Sequence, residues 1–461
     1  MLQTHPQNQP PFQIQTNKIE SIVLTIANKI ADTTKVLQEV EYAIRLEKYH
    51  QEKLCPYSLS YGFAGTACFF SSLDTLYPSQ GWDIAAHEHL SLAVNDYMTN
   101  GTSSLSLFNG FTGLCYAIAL CAKANDSYQY LKKKTDDFFE KEINNYLYQL
   151  EVRLSTSVPK VHANDYNLAN GLSGILAFLL LRKEDETFYL LIPRVTSLLS
   201  SMVLLQQEVT YKGNTLRVPL WFSSTYLQLN EEDAYTYPNG SYIHSLPFGS
   251  MGLLSALSLA ALEGFHSPEI KKAINELATH QLAFFKKLHN KKSFPPQITL
   301  EQSLGEIITH TALERNTWCH GIPPLSHSLF LASKALDNKD LKSISLHLLK
   351  GMLNTDMKEW NLLATSYSYG RAGLLNILDS MGKETDDAAL MKSRDLLASD
   401  LCRFFHSDHP FGFQSVSFKK QGDYYWVNSP TLLDGAAGIA LSLQSLLTPL
   451  PLKWNRAFLI Q

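Results

Sequence analysis

Cys319 stands in the stretch Arg315-Asn316-Thr317-Trp318-Cys319-His320-Gly321-Ile322-Pro323-Pro324, beside a histidine and two residues ahead of a glycine. A thiol acts as nucleophile or metal ligand through its thiolate, so this cysteine is the first candidate for chemistry. The other five, Cys55, Cys68, Cys115, Cys121 and Cys402, lie in apolar or mixed helical stretches where buried structural thiols are expected. None forms a Cys-x-x-Cys pair, and a chain this large and apolar needs no disulfide staples. A different chemistry would use carboxylates: Asp165 and Asp434 are carried by glycine turns and would suit a sugar hydrolase working with paired acids.

The elements that must position these residues announce themselves by repetition. A Gly-x-x-Gly-type turn followed by an apolar run recurs seven times, with its first glycine at Gly62, Gly110, Gly171, Gly249, Gly321, Gly370 and Gly435. Glycine permits positive φ and close backbone approach, and a second glycine one turn later lets neighbouring segments pack tightly. The runs that follow, such as Ile175-Leu176-Ala177-Phe178-Leu179-Leu180-Leu181, are apolar all round and must be buried on every side. Between them lie amphipathic, charged segments, 130–146 and 267–289 among them, suited to an outer layer. The expected fold is therefore all-α: an α/α toroid of about seven inner and seven outer helices, closed so that the turns gather at one end. Residues 1–50 are expected to form an N-terminal arm and a first outer helix, and 51–461 the toroid. One stretch departs from this texture: 206–240 reads as a long excursion with a short hairpin at Lys212-Gly213-Asn214. A loop of that length commonly serves function or meets a partner.

Bulk composition narrows the classes. Of 461 residues 45 % are hydrophobic and 18 % charged, which fits a buried globular core. A net charge of −4 and a pI near 6.4 give no basic surplus for nucleic acid or an anionic membrane. The N-terminus is polar and proline-rich, unlike a signal peptide. Apolar runs such as 172–181 are about half the roughly 20 residues a membrane span requires. A cytoplasmic location without a membrane span is expected.

The stretch from Arg315 to Pro324 resembles the Trp-Cys-x-Gly-x-Pro-Gly motif of lanthionine cyclases and their eukaryotic relatives. Pro219-Leu220-Trp221-Phe222, Tyr237-Pro238-Asn239-Gly240 and the Gly249 turn follow in that family's order, as do Asp165-Tyr166-Asn167 ahead of Gly171 and the last turn at Gly435. The resemblance runs from about Leu59 to Leu447 and implies the same double α-toroid. It also implies thioether chemistry, in which a cysteine thiol adds to a dehydroalanine or dehydrobutyrine of a precursor peptide. A zinc ion held by two cysteines and a histidine activates that thiol, with an open fourth position.

Carried over by position, Cys319 matches the first zinc cysteine, and Arg315 matches an arginine of bacterial cyclases. Ser368 and Tyr369 fall where the family has its second cysteine and its histidine. Phe248 falls on the family's histidine ahead of the fourth turn, and Asn167 on its aspartate ahead of the third. Serine and tyrosine are poor zinc ligands, and asparagine is no base. His320 reads as pocket-lining; His244 and Asp165 stand where a shifted register could bring a substitute. The expected protein keeps the cyclase fold and a peptide-sized mouth, lacks zinc and zinc-dependent cyclase activity, and binds or scaffolds a precursor peptide. A dehydratase, being absent from this chain, would be a separate partner. The alternatives are an active cyclase or thiol transferase using Cys319, with zinc, or the carbohydrate enzyme above.

Overall fold

A computed structural model describes residues 16–45, 55–122, 128–229, 231–287, 293–306, 315–418 and 424–461. Residues 1–15 and 46–50 of the expected N-terminal arm lie outside the described residues.

Each of the seven glycines caps the start of a buried helix. These inner helices are Phe63–Leu76, Phe111–Cys121, Leu172–Leu181, Ser250–Leu262, Ile322–Ala335, Arg371–Thr385 and Ala436–Gln444. In Leu172–Leu181 every residue but the last is buried, as its all-round apolar sequence requires. Each fully buried leucine or phenylalanine in such a helix contributes about 1.5–3 kcal/mol. Around them run Thr16–Ala31, Trp82–Asn100, Gln129–Leu154, Glu186–Leu204, Pro268–Lys287, Lys339–Leu353 and Ala388–Leu401. Their sequences are amphipathic: Gln129–Leu154 buries Phe139, Ile143, Leu147 and Leu150, one stripe at spacings of four, four and three. Glu186–Leu204 is long and apolar enough to cross a membrane, a longer apolar element than the ten-residue runs visible in the sequence. It belongs to the outer layer, its Phe188 ring packed 5.7 Å from Phe139 and 5.6 Å from Phe178.

The glycines work chiefly through space. Only Gly321 has positive φ, at 93°; the other six caps are extended, with φ between −116° (Gly171) and −136° (Gly249, Gly370). The second glycines show why no side chain fits. A Cβ on Gly65 would lie 2.7 Å from Leu432 Cβ, on Gly113 2.9 Å from Leu59, and on Gly174 2.8 Å from Leu107. On Gly252 it would lie 3.4 Å from Leu168, on Gly373 2.5 Å from Trp318, and on Gly438 3.3 Å from Tyr367. Each of these six units thus presses on the lead-in of the unit before it, and the first presses on the last; the fifth, with Pro324 in place of a second glycine, is joined to the fourth through Leu246 N–H and Cys319 O. That is closure.

Backbone bonds follow the same circuit and satisfy groups that burial would otherwise orphan. Leu433 N–H donates to Ser60 O (3.0 Å), Ser60 to Phe108 O (3.1 Å), and Phe108 to Ala169 O (3.3 Å). Ala169 donates to Pro247 O (2.9 Å), Leu246 to Cys319 O (3.0 Å), and Ser368 to Leu433 O (3.0 Å). The turns therefore share one end of the toroid.

The lumen is filled by the segment after Leu452. Phe458 packs 6.0 Å from Phe108, 5.3 Å from Trp318 and 3.9 Å from Tyr367, which come from three different units, so it lies near the ring axis. Trp318 Nε1 donates to Phe458 O at 3.1 Å, Tyr116 Oη donates to Lys453 O at 2.7 Å, and Arg456 pairs with Glu263 at 2.5 Å. The excursion contains the expected hairpin, β1 Gln206–Tyr211 against β2 Asn214–Pro219, turning at Lys212 (φ 50°) and Gly213 (φ 77°). Two further antiparallel pairs were not legible in advance. These are β3 Ser241–Ile243 with β4 Gln297–Thr299, and β5 Ser415–Phe418 with β6 Tyr424–Val427.

Candidate functional site

The fifth turn differs from the others. With Gly321 at φ 93°, a Cβ there would sit 2.1 Å from Arg315 O, and the Asn316 side chain accepts the Ile322 N–H at 3.0 Å. Pro323 and Pro324 follow inside the first helical turn, where missing N–H groups cost nothing. Thr317 N–H donates to His320 O at 2.9 Å. The loop so formed places Arg315, Cys319 and His320 against the sixth and seventh turns.

Ser368, fully buried at the sixth turn, donates its hydroxyl to the Asp434 carboxylate of the seventh. Tyr369, the next residue, stacks on His320 with ring centroids 5.9 Å apart, and the Arg315 guanidinium lies 5.8 Å from the Tyr369 ring. Cys319 is buried among these groups. Burial pushes its thiol well above the ordinary value, the Asp434 carboxylate pushes it further, and Arg315 opposes both. Burial likewise raises the Tyr369 phenol, with Cys319 and Asp434 adding to the rise. His320 falls to about 4, through burial and then the charge of Arg315. Arg315 itself is lowered by burial. At neutral pH the centre holds a protonated thiol, a neutral imidazole and a neutral phenol between one cation and one carboxylate.

Cys319, His320, Ser368, Tyr369 and Arg315 thus come together, and Asp434 joins them. Asp434 drew notice in the sequence only as half of a carboxylate pair. Its position directly before a turn glycine, like that of His320 and Tyr369, was the available signal. The other candidates serve their own turns. Asn167 donates to Asn164 Oδ1 at 3.1 Å and accepts the Asn170 N–H at 2.7 Å. Asp165 caps the short helix Ala163–Tyr166, accepting the His162 N–H at 2.7 Å, and pairs with Arg153 at 2.7 Å. The paired-carboxylate reading would need both acids in one site, whereas Asp165 serves its own turn and Asp434 bonds Ser368. Phe248 is half-buried against the apolar core. His244 is sealed among Trp221, Tyr242, His280, Phe284 and Phe294, with Nδ1 2.8 Å from Ser250 Oγ. Burial holds its pKa well below the ordinary value, with His280 adding to the fall.

The sequence model of a family described as lanthionine synthetase C-like protein matches residues 54–459. The chain belongs to the lanthionine synthetase C-like family. The nisin biosynthesis protein NisC of Lactococcus lactis subsp. lactis is 23 % identical over 284 residues, 61 % of this chain. The match spans 64 % of that relative's length, under two thirds of it. A solved structure of nisin cyclase superposes with a TM-score of 0.71 at 17 % identity, covering 96 % of this chain and 97 % of that one. That likeness establishes the toroid.

The family resemblance implies zinc. Among the described residues no group of three or more His, Cys, Asp or Glu could hold a metal ion. At the three positions that the resemblance aligns with the family's ligands stand one cysteine, Cys319, an alcohol already bonded to Asp434, and a phenol. Zinc sites use thiolate, imidazole and carboxylate, so this donor set does not fit the ion.

Proposed function

We infer that this member of the family binds a precursor peptide at its glycine-turn face, within a lanthipeptide-type modification system, without zinc-dependent ring closure. The observation that carries the reading is the Ser368–Asp434 hydrogen bond. The resemblance aligns Ser368 with the family's second zinc cysteine, and the bond ties that residue to a carboxylate that disfavours a neighbouring thiolate. A peptide thiol entering such a site keeps a pKa near 8.5 and is only a few per cent thiolate at neutral pH. His320, half-buried and lowered to about 4, is a weak base for that thiol's proton, Tyr369 keeps its own, and the Asp434 carboxylate is already engaged by Ser368. Retention of Cys319 and Arg315 favours one rival, an active cyclase or thiol transferase working through Cys319.

A peptide carrying one dehydroalanine and one cysteine separates the two. Saturable binding is expected, with thiol loss, followed by alkylation and mass spectrometry, at the background rate. Acceleration beyond about tenfold, roughly 1.4 kcal/mol of barrier, that vanishes in Cys319→Ala establishes the cyclase instead.

A further inference from the structure

The excursion between the fourth outer helix and the fourth turn offers an unpaired sheet edge. In an antiparallel hairpin, residue pairs alternate between those that exchange backbone bonds and those whose N–H and C=O groups point outward. The bond from Leu220 N–H to Leu205 O, at 3.0 Å, sets that parity, and Pro219, which has no N–H, stands opposite Gln206 in an outward pair. By the same alternation Glu208 and Thr210 also point their backbone groups away from β2. Among the described residues these outward groups have no partner. All three residues are exposed.

The edge is also tied at both ends. Lys212 Nζ pairs with Glu306 at 2.8 Å at the hairpin tip. At its root Gln207 Nε2 donates to the carbonyls of Pro219 (3.3 Å), Leu220 (3.2 Å) and Phe222 (2.8 Å). Proteins ordinarily cover or break such an edge with proline, charged side chains or a bulge; of the outward positions here, Gln206, Glu208 and Thr210, only Glu208 is charged, and it pairs with Arg217. Beside it runs a groove of about 500 Å³, lined also by residues 157–160. Its lining includes Val158 and Tyr226, which are 68 % and 95 % exposed, together with Lys160, Glu208 and Arg217. Glu208 and Arg217 pair at 3.5 Å, leaving Lys160 as the groove's second cation.

We propose that β1 is a docking edge, on which an extended peptide segment bearing an acidic side chain adds as a third strand. The inference rests on the peptide-binding reading above and deepens it, naming where and in what conformation the peptide is first held. Main-chain bonds to Gln206, Glu208 and Thr210 supply affinity without demanding a sequence. Lys160 selects a carboxylate. Val158 and Tyr226 cover the apolar side chains of alternate residues. The six residues of β1 accommodate a partner strand of five or six residues, at about 3.4 Å each.

The test uses a fluorescein-labelled, end-blocked peptide, Ser-Val-Asp-Val-Thr-Ile-Ser, titrated against the full chain by fluorescence anisotropy. Saturable binding is expected, with slower amide hydrogen exchange at Gln206, Glu208 and Thr210. Thr210→Pro removes one outward N–H without touching the β1–β2 ladder, and should weaken binding at least tenfold. Lys160→Glu should weaken it at least threefold. Thr215→Pro, the corresponding change on the far edge of β2, should leave it unchanged, and thermal melts verify that each variant folds. Absence of saturable binding overturns the proposal, as does equal binding by Thr210→Pro. Binding of the dehydroalanine peptide is scored separately in the same proteins. Failure of the acidic probe alone then overturns the docking edge, while failure of the dehydroalanine peptide overturns the pocket reading.

Discussion

Ser368 and Asp434, 66 residues apart in the chain, meet across two neighbouring glycine turns through a hydrogen bond from hydroxyl to carboxylate. Beside them, the Cys319 thiol feels Asp434 and Arg315 with opposite sign. The electrostatics of the centre can therefore be read out through the reactivity of a single sulfur.

Asp434→Asn removes the carboxylate that helps hold Cys319 protonated, so alkylation of Cys319 should speed up at neutral pH. Arg315→Met removes the opposing cation and should slow it. The rates are followed by iodoacetamide labelling with peptide-level mass spectrometry, because Cys55 is also partly accessible. Unchanged rates in both variants would show that burial alone sets the thiol.

The purified protein is expected to hold no stoichiometric zinc after dialysis. The double variant Ser368→Cys, Tyr369→His restores a thiolate and an imidazole beside Cys319 and should bind about one ion per chain, as a full ligand set requires. Elemental analysis finding one zinc in the unaltered protein would refute the first expectation.

Glycine substitutions should separate space from propensity. In Gly373→Ala the new Cβ meets Tyr367 O at 2.1 Å and Trp318 Cβ at 2.5 Å, so the ring must yield where the site is built. Overpacking of this kind costs about 1–3 kcal/mol or more. Gly351, inside the outer helix Lys339–Leu353, has nothing within 4 Å of its missing Cβ. Gly351→Ala should stabilise by about 0.5–1 kcal/mol, since alanine is the better helix former. Urea denaturation measures both.

Acid should destabilise the fold through its buried imidazoles. His89, His280 and His327 are lowered to about 4, in each case mainly by burial. Their unfolded values lie near 6.5, so between about 6.5 and 4 the unfolded chain binds more protons and stability falls as pH falls. Above that window the contribution is fully present. Each such histidine adds at most about 1.4 kcal/mol per pH unit to the slope. His327→Gln should flatten the pH dependence of the urea midpoint across this range, and an unchanged slope would count against a neutral buried His327.

The sequence by itself determined what depends on neighbours along the chain. Seven glycine turns, each opening an apolar run, dictate inner helices, since no all-round apolar helix survives in water. Lys212-Gly213 dictates the hairpin because two successive left-handed residues match its twist. The Arg315–Pro324 motif was legible for the same local reason. Even so, the glycines were needed mostly for the approach of a preceding unit's lead-in, not for positive φ, and that became visible only once the ring closed. Tertiary structure alone decided that Asp434, and not Asn167 or Asp165, completes the centre around Cys319. It also decided that Phe458 fills the lumen under Trp318 and Tyr367, and that 241–243 pair with 297–299. These contacts join residues tens to hundreds of positions apart. Their partners are chosen by ring geometry and by the need to satisfy buried polar groups and fill space, neither of which leaves a periodic trace along the chain.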